Sequence, residues 1–413
     1  MKMFTLNVVV IAVLNVTAAA EAQIQLLGAP PSRGTRVTGL SADGRVVVGF
    51  SVGASGGGNY FRWTPETGRI DGGLDSPVFY DVSHDGTTNV GMRGPSAGLT
   101  PFRSRILDVY EDFPRPSGIN STFAARTRGV NNDGTVVVGH FSSILFPHRG
   151  DPDRAFRWTE TGGTEDLGDL AGDRAWTSHT VAHDISGDGN SVVGYVQREG
   201  FFGEARPFVW TPQARMTELP RPSDGQGYFH RAYANAITQD GRVIVGQSVS
   251  GLHGAILWRD GVVQRLVASA GFWSYEATAV SGDGNLVIGT MRADRTLQDT
   301  VGMIWTPEWG GLSANDFFLR HGVSVPSDAT LVVTSVSSDG NTLGGQYFGP
   351  GIPEVAFIAI IPAPGTCVAG LLLVSFPLSR RWRRHGPLQV LGAGRCRVDA
   401  RRHSKLEVDA PYV

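Results

Sequence analysis

Between residues 23 and 361 the chain alternates short apolar runs with polar, glycine-bearing breaks, and no stretch of helical period is long enough to compete with strands. Seven times it repeats one pattern: a small or amide residue, a variable residue, Asp-Gly, then a Val-rich run ending in a second Gly five positions after the first. The turn pairs are Asp43-Gly44, Asp85-Gly86, Asp133-Gly134, Asp188-Gly189, Asp240-Gly241, Asp283-Gly284 and Asp339-Gly340; the later glycines are Gly49, Gly91, Gly139, Gly194, Gly246, Gly289 and Gly345. Asp-Gly between apolar runs predicts a hairpin, because Gly accepts positive φ and Asp bonds nearby backbone. Each pair therefore joins a first and a second strand.

An aromatic-rich third strand follows in each unit, marked by Phe61 and Trp63, Phe102, Phe156 and Trp158, Phe208 and Trp210, Trp258, Trp305 and Phe357. Fourth strands read as Arg69 to Leu74, Glu165 to Leu170, Met216 to Leu219 and Val262 to Leu266. The seventh unit runs from its third strand straight into Pro362, while Ile24 to Gly28 resembles an outer strand ahead of the first unit. The pattern predicts an all-β, seven-bladed β-propeller over residues 23–361, closed by the N-terminal strand completing the last blade. Spacings of 42, 48, 55, 52, 43 and 56 residues between Asp-Gly pairs suit blades with loop insertions.

Composition changes the picture mainly at the ends. With 36 Lys plus Arg against 38 Asp plus Glu, the chain gives no sign of a nucleic-acid partner. The balance hides an acidic body and a basic tail after Arg380. Residues 1–22 read as a signal peptide: Lys2, an apolar core and Ala20-Glu21-Ala22. Both cysteines, Cys367 and Cys396, lie near the C-terminus, so no disulfide stabilises the body. Residues 362–384 carry Pro362 and Pro364, an apolar run read as a transmembrane helix, and Arg380, Arg381, Arg383 and Arg384; residues 385–413 form a basic, disordered tail.

Candidate chemistry is sparse. The seven turn Asp residues offer one carboxylate per unit, too few to converge on Ca²⁺, and are assigned to the turns. His179 and His183 would share a strand face but stand too far apart for one metal ion. No metal, cofactor or catalytic residue is assigned. Longer insertions carry His148, Arg149, Tyr110, Phe113, Phe201, Phe202, Tyr228 and Phe229, which either pack the loops or recognise a partner.

Two resemblances add to this reading. The units at Ser41 to Gly49 and Ser281 to Gly289, with Ala155 to Trp158 running on to Leu167-Gly168, resemble the exported bacterial HAF-repeat proteins. Residues 362–384 resemble PEP-CTERM sorting signals. The first implies an extracellular, β-propeller-like build and assigns no activity. The second implies processing by an exosortase-type transpeptidase, membrane contact through the C-terminal segment before processing, and a bacterial cell-surface, outer-membrane or matrix location. Together they suggest a non-enzymatic module binding a polysaccharide or surface protein. The alternative is an extracellular propeller glycan hydrolase or lyase. A paired-carboxylate cluster at glycosidase spacing, or a His and a Tyr facing a central acidic pocket, would favour the enzyme, and a dry channel poor in polar residues the binding or structural module.

Overall fold

Each Asp-Gly unit folds into an antiparallel meander in the computed structural model, which describes residues 16–19, 23–28, 32–361 and 367–370, apart from internal segments 54–57, 73–76, 95–98, 116–122, 144–152, 171–177, 199–203, 223–230, 250–253, 269–271 and 293–299 and residues 273, 324 and 350. The architecture is an all-β, blade-like arrangement of four-stranded antiparallel sheets. First strands are Ser32–Leu40, Val78–Val82, Phe123–Val130, Ser178–Ile185, Ala232–Ile237, Ser274–Val280 and Thr330–Val336. Each contacts the first strand of the next unit, and that of the seventh contacts that of the first. The seventh unit supplies three strands, and Gln23–Leu26 adds to the outer side of its third, Ile352–Ile360, as an antiparallel fourth.

The turns explain the first repeated Gly. In unit one, Asp43 accepts from the Ser41 hydroxyl at 2.7 Å and from the Arg45 amide, while the Ser41 hydroxyl accepts from the Val46 amide. Unit seven repeats this with Ser337, Asp339, Asn341 and Thr342. The turn Gly takes φ near +70°, as at Gly44 and Gly340 (+70° and +74°), where a side chain would be strained. The variable residue of each turn links units through the backbone. Ala42 N–H donates to His84 O at 3.0 Å, Asn132 to Gly187, Gly187 to Gln239, Gly282 to Ser338, and Ser338 back to Ala42 at 2.9 Å. Arginines of the third strands reach the next turn: Arg62, Arg103, Arg157 and Arg259 donate to the carbonyls of Gly86, Gly134, Gly189 and Gly284.

The second Gly answers a different constraint. Every first strand carries a β-bulge three residues before its turn motif, at Thr38, Tyr80, Arg128, His183, Asn235, Thr278 and Thr334. A bulge leaves one residue unpaired and twists the strand. Beside it, a Cβ built on Gly49 would overlap the Arg36 carbonyl oxygen, and one on Gly194 that of Val181. The third-strand residue opposite then covers the gap. Phe61, Phe102, Phe156, Phe208 and Phe357 pair with the second Gly of their units and are fully buried. Trp63, Trp158, Trp210 and Trp258 are buried between sheets, whereas Trp305 is half-buried.

Two acids lock neighbouring sheets. Asp184 accepts from its own strand at Ile185 N (2.8 Å) and from the next unit at Ile237 N (2.9 Å); Asp81 does the same with Val82 and Val130. Gly39 and Gly129 leave room for these carboxyls, since a Cβ at either would come within 2.9 Å of a carboxyl oxygen. Burial pushes Asp184 up to about 7 and Asp81 well above the usual carboxylate range, with repulsion from Asp184 adding to the latter.

Two findings depart from the sequence reading. A helix, Ala314–Arg320, capped by Ser313, is inserted between the last strand of unit six and the first of unit seven, and buries Phe317 and Phe318. The transmembrane helix expected near the C-terminus is corrected: no helix of the described residues is long and apolar enough to cross a membrane, and Cys367–Gly370 within that run is a strand. The run is far shorter than the roughly 20 residues a helical span requires. Pro362, Pro364, the arginines at 380, 381, 383 and 384 and the tail 385–413 lie outside the described residues, as does most of 1–22.

Trp258→Ala is expected to lower unfolding free energy by about 3–5 kcal/mol, through the cavity it leaves and the lost indole bond to Pro220 O. Denaturant titration giving less than about 0.5 kcal/mol would remove Trp258 from the core. The Asp184 carboxyl stabilises the fold most where it is protonated. Wild type should therefore lose stability relative to Asp184→Asn as pH rises from about 4 to about 7. Buried His140 and His183, lowered to about 3 and about 4, act oppositely and lose stability as pH falls. The difference between the two proteins isolates the Asp term, and a pH-independent difference would contradict it.

Candidate functional site

The bulge turns one side chain per unit toward the space where the first strands meet. Four of these side chains bond to the backbone of the next unit: Thr38 Oγ1 to Phe79 O (2.9 Å), His183 Nδ1 to Ala234 O (3.0 Å), Asn235 Nδ2 to Ala277 O (2.8 Å) and Thr334 Oγ1 to Val37 O (3.0 Å). The last of these joins the seventh unit to the first. Above the bulges stand residues two positions earlier in the strand and those following the second Gly. In units three to five these are Arg126 with His140, Val181 with Tyr195 and Tyr233 with Gln247, each pair facing across the ladder.

Two adjoining cavities of about 730 and 420 Å³ occupy this space and share Thr38, Tyr80 and Arg128. The smaller is lined also by His183, Asn235, Gln247, Glu276 and Thr278; the larger extends over Phe50, Thr334, Gln346 and Phe348. The lining is uneven. Unit two contributes Tyr80 and units three to five Arg128, His183, Asn235 and Gln247, whereas units one, six and seven place Thr at the bulge.

Electrostatics separates the members of this cluster. Burial and the neighbouring Arg128 guanidinium lower His183 to about 4, so its imidazole is neutral at ordinary pH. Because its Nδ1 faces a carbonyl, Nδ1 carries the proton and Nε2 keeps its lone pair. Tyr195 meets His183 edge-on at 5.3 Å and Tyr233 at 4.8 Å, and burial raises its hydroxyl to about 12. Among the described residues the buried His140 has no hydrogen-bond partner at Nδ1, and burial followed by repulsion from Arg128 lowers it to about 3. Asp153 pairs with His179 at 3.3 Å. The carboxylates lining the cavities are Glu276, which accepts from the Thr290 hydroxyl at 3.1 Å, and Glu354, which is paired with Arg36 at 2.9 Å.

The residues singled out in the sequence lie elsewhere. The turn aspartates sit at the hairpin ends and the third-strand aromatics in the core. Of the loop aromatics, Phe113 is buried and stacks on Trp158 at 4.2 Å, and Tyr110 packs edge-on against Phe102 at 4.8 Å. His148, Arg149, Phe201, Phe202, Tyr228 and Phe229 lie outside the described residues. His179 and His183 fall into different contacts, one with Asp153 and one with Ala234 O. Among the described residues no cluster of His, Cys, Asp and Glu could hold a metal ion. The signal that finds the site is the pair of repeat positions at which the units disagree: three before the turn motif and one after the second Gly.

No family model matches this chain, and no curated protein does. Among solved structures it is similar to the β-propeller domain of the Trilobed protease from Pyrococcus furiosus, with 10% identity and a TM-score of 0.51 over 83% of this chain and 100% of that one. That propeller is described as having an open velcro topology, whereas here Gln23–Leu26 pairs with the last unit. Two further likenesses, each at TM-score 0.51, are to a prolyl endopeptidase (12% identity, 82% of this chain) and a puromycin hydrolase (13%, 79%). The chain spans about half the length of these two, 51% and 52%. At such identities the likeness shows a blade-like, propeller-type fold and carries no activity.

Proposed function

We propose that this is an exported protein whose seven units close into a β-propeller, with an axial channel that cleaves a glycan by elimination. Closure is supported by the bonds from unit seven to unit one, Ser338 to Ala42 and Thr334 to Val37, and by the added strand Gln23–Leu26. Export, a surface or matrix location and exosortase-type processing of residues 362–384 rest on the sequence pattern at the two ends. The observation that carries the functional reading is the contact of a neutral His183, which lines the smaller cavity, with a protonated Tyr195 beside it.

A neutral base beside a protonated acid suits elimination. His183 Nε2 takes a proton from a sugar ring carbon. The electron pair left behind forms a C=C bond as the neighbouring C–O bond breaks, and the departing glycosidic oxygen takes the Tyr195 proton. Hydrolysis by paired carboxylates fits less well, because of the two carboxylates lining the cavities Glu354 is neutralised by Arg36, which leaves Glu276 alone, and Asp81 and Asp184 are each held by two backbone amides.

Incubating the protein with acidic and neutral polysaccharides should generate the ultraviolet absorbance of an unsaturated sugar end. His183→Ala and Tyr195→Phe should each lower the rate by roughly 10²–10⁴-fold. The rate should fall on the acid side as pH drops through about 4, where His183 takes a proton. Retention of glycans without unsaturated product would instead identify a binding module.

A further inference from the structure

Several other arginines have partners. Arg36 meets Glu354, Arg69 meets Asp71, Arg103 meets Glu111 and Glu160, and Arg62, Arg157 and Arg259 bond to turn carbonyls. Arg126 and Arg128 are different. They stand two residues apart on the first strand of unit three, and among the described residues neither guanidinium has a hydrogen-bond or ion-pair partner. Arg128 lines both cavities, exposed within a space walled by protein. Its pKa is lowered by burial and then by repulsion from Arg126. Across the ladder from Arg126 lies His140, only 5% exposed and with Nδ1 unpartnered. The nearby acid, Asp153, is engaged by His179.

Both side chains are exposed and Arg128 faces the cavities; like charges side by side repel, and an anion between them relieves that repulsion. We propose that Arg126 and Arg128 form a carboxylate subsite, so that the glycan taken into this channel is a uronate polymer. The choice of carboxylate over other anions rests on the elimination reading. A carboxylate attached to the ring carbon acidifies its C–H, and the negative charge left when His183 takes the proton spreads onto the carboxylate oxygens. A guanidinium presents a planar fork of donors to that group. His140 supplies a further polar atom at the subsite wall.

The test is binding of trigalacturonate and its methyl ester to the full chain, by calorimetry, with product formation followed separately. The acid should bind at least about tenfold more tightly than the ester, and Arg126→Gln or Arg128→Gln should abolish that preference. The preference should also weaken with added salt. Arg128→Lys, which keeps the charge, should retain part of it. Unchanged thermal unfolding midpoints in the variants separate loss of the subsite from loss of the fold. Equal affinity for acid and ester, or arginine variants that bind like wild type, would overturn the subsite. Arginine-dependent binding without unsaturated product would sustain the subsite and overturn elimination. Unsaturated product formed equally from the ester, and unaffected by the arginine variants, would do the reverse.

Discussion

The β-bulge in each first strand is the constraint around which the rest is arranged. It offsets the pairing by one residue, which drives a carbonyl toward the second strand and leaves no space there for a Cβ. A glycine must therefore stand opposite, and a third-strand side chain, most often Phe, closes over it. The bulge also frees one side chain from the sheet and aims it at the neighbouring unit. Four such side chains bond to the next unit's backbone. Sheet geometry, inter-unit adhesion and the lining of the cavity thus have one origin.

From this follows a division of labour within the repeat. Positions that maintain the bulge and turn are nearly invariant across the seven units, because each unit meets the same steric demand. Positions that project into the cavity face no such demand beyond a hydrogen bond to the neighbour, which Thr, Asn and His all provide. The cavity is therefore free to be asymmetric. Arg128, His183 and Asn235 occupy bulges whose counterparts in units one, six and seven are Thr38, Thr278 and Thr334. A scaffold of equivalent blades so acquires a polar, basic side without altering its packing.

Much of the fold was legible in the sequence because it is written seven times. Asp-Gly marked each turn, Phe and Trp marked each third strand, and the missing outer strand of unit seven was traceable to Gln23–Leu26. The reason for the second Gly was not legible: it depends on a carbonyl in another strand, brought close by a bulge without a signature of its own. The helix Ala314–Arg320 escaped notice because seven residues carry less than two helical turns of periodicity. The cavity escaped for a more instructive reason. Attention to repetition favours Asp43 and its equivalents, whereas Arg128, His183 and Tyr195 occupy positions where repetition fails. No spacing in the chain reveals that residues more than fifty apart converge there.

The account turns on whether the space between the first strands receives the ligand. The most direct measurement is a crystal structure of the protein soaked with an acidic oligosaccharide. The account predicts sugar density in the cavity, with its anionic group between Arg126 and Arg128 and a ring carbon facing His183 Nε2. Density confined to the outer strands or the hairpin ends, with the central cavity empty of sugar, would contradict it.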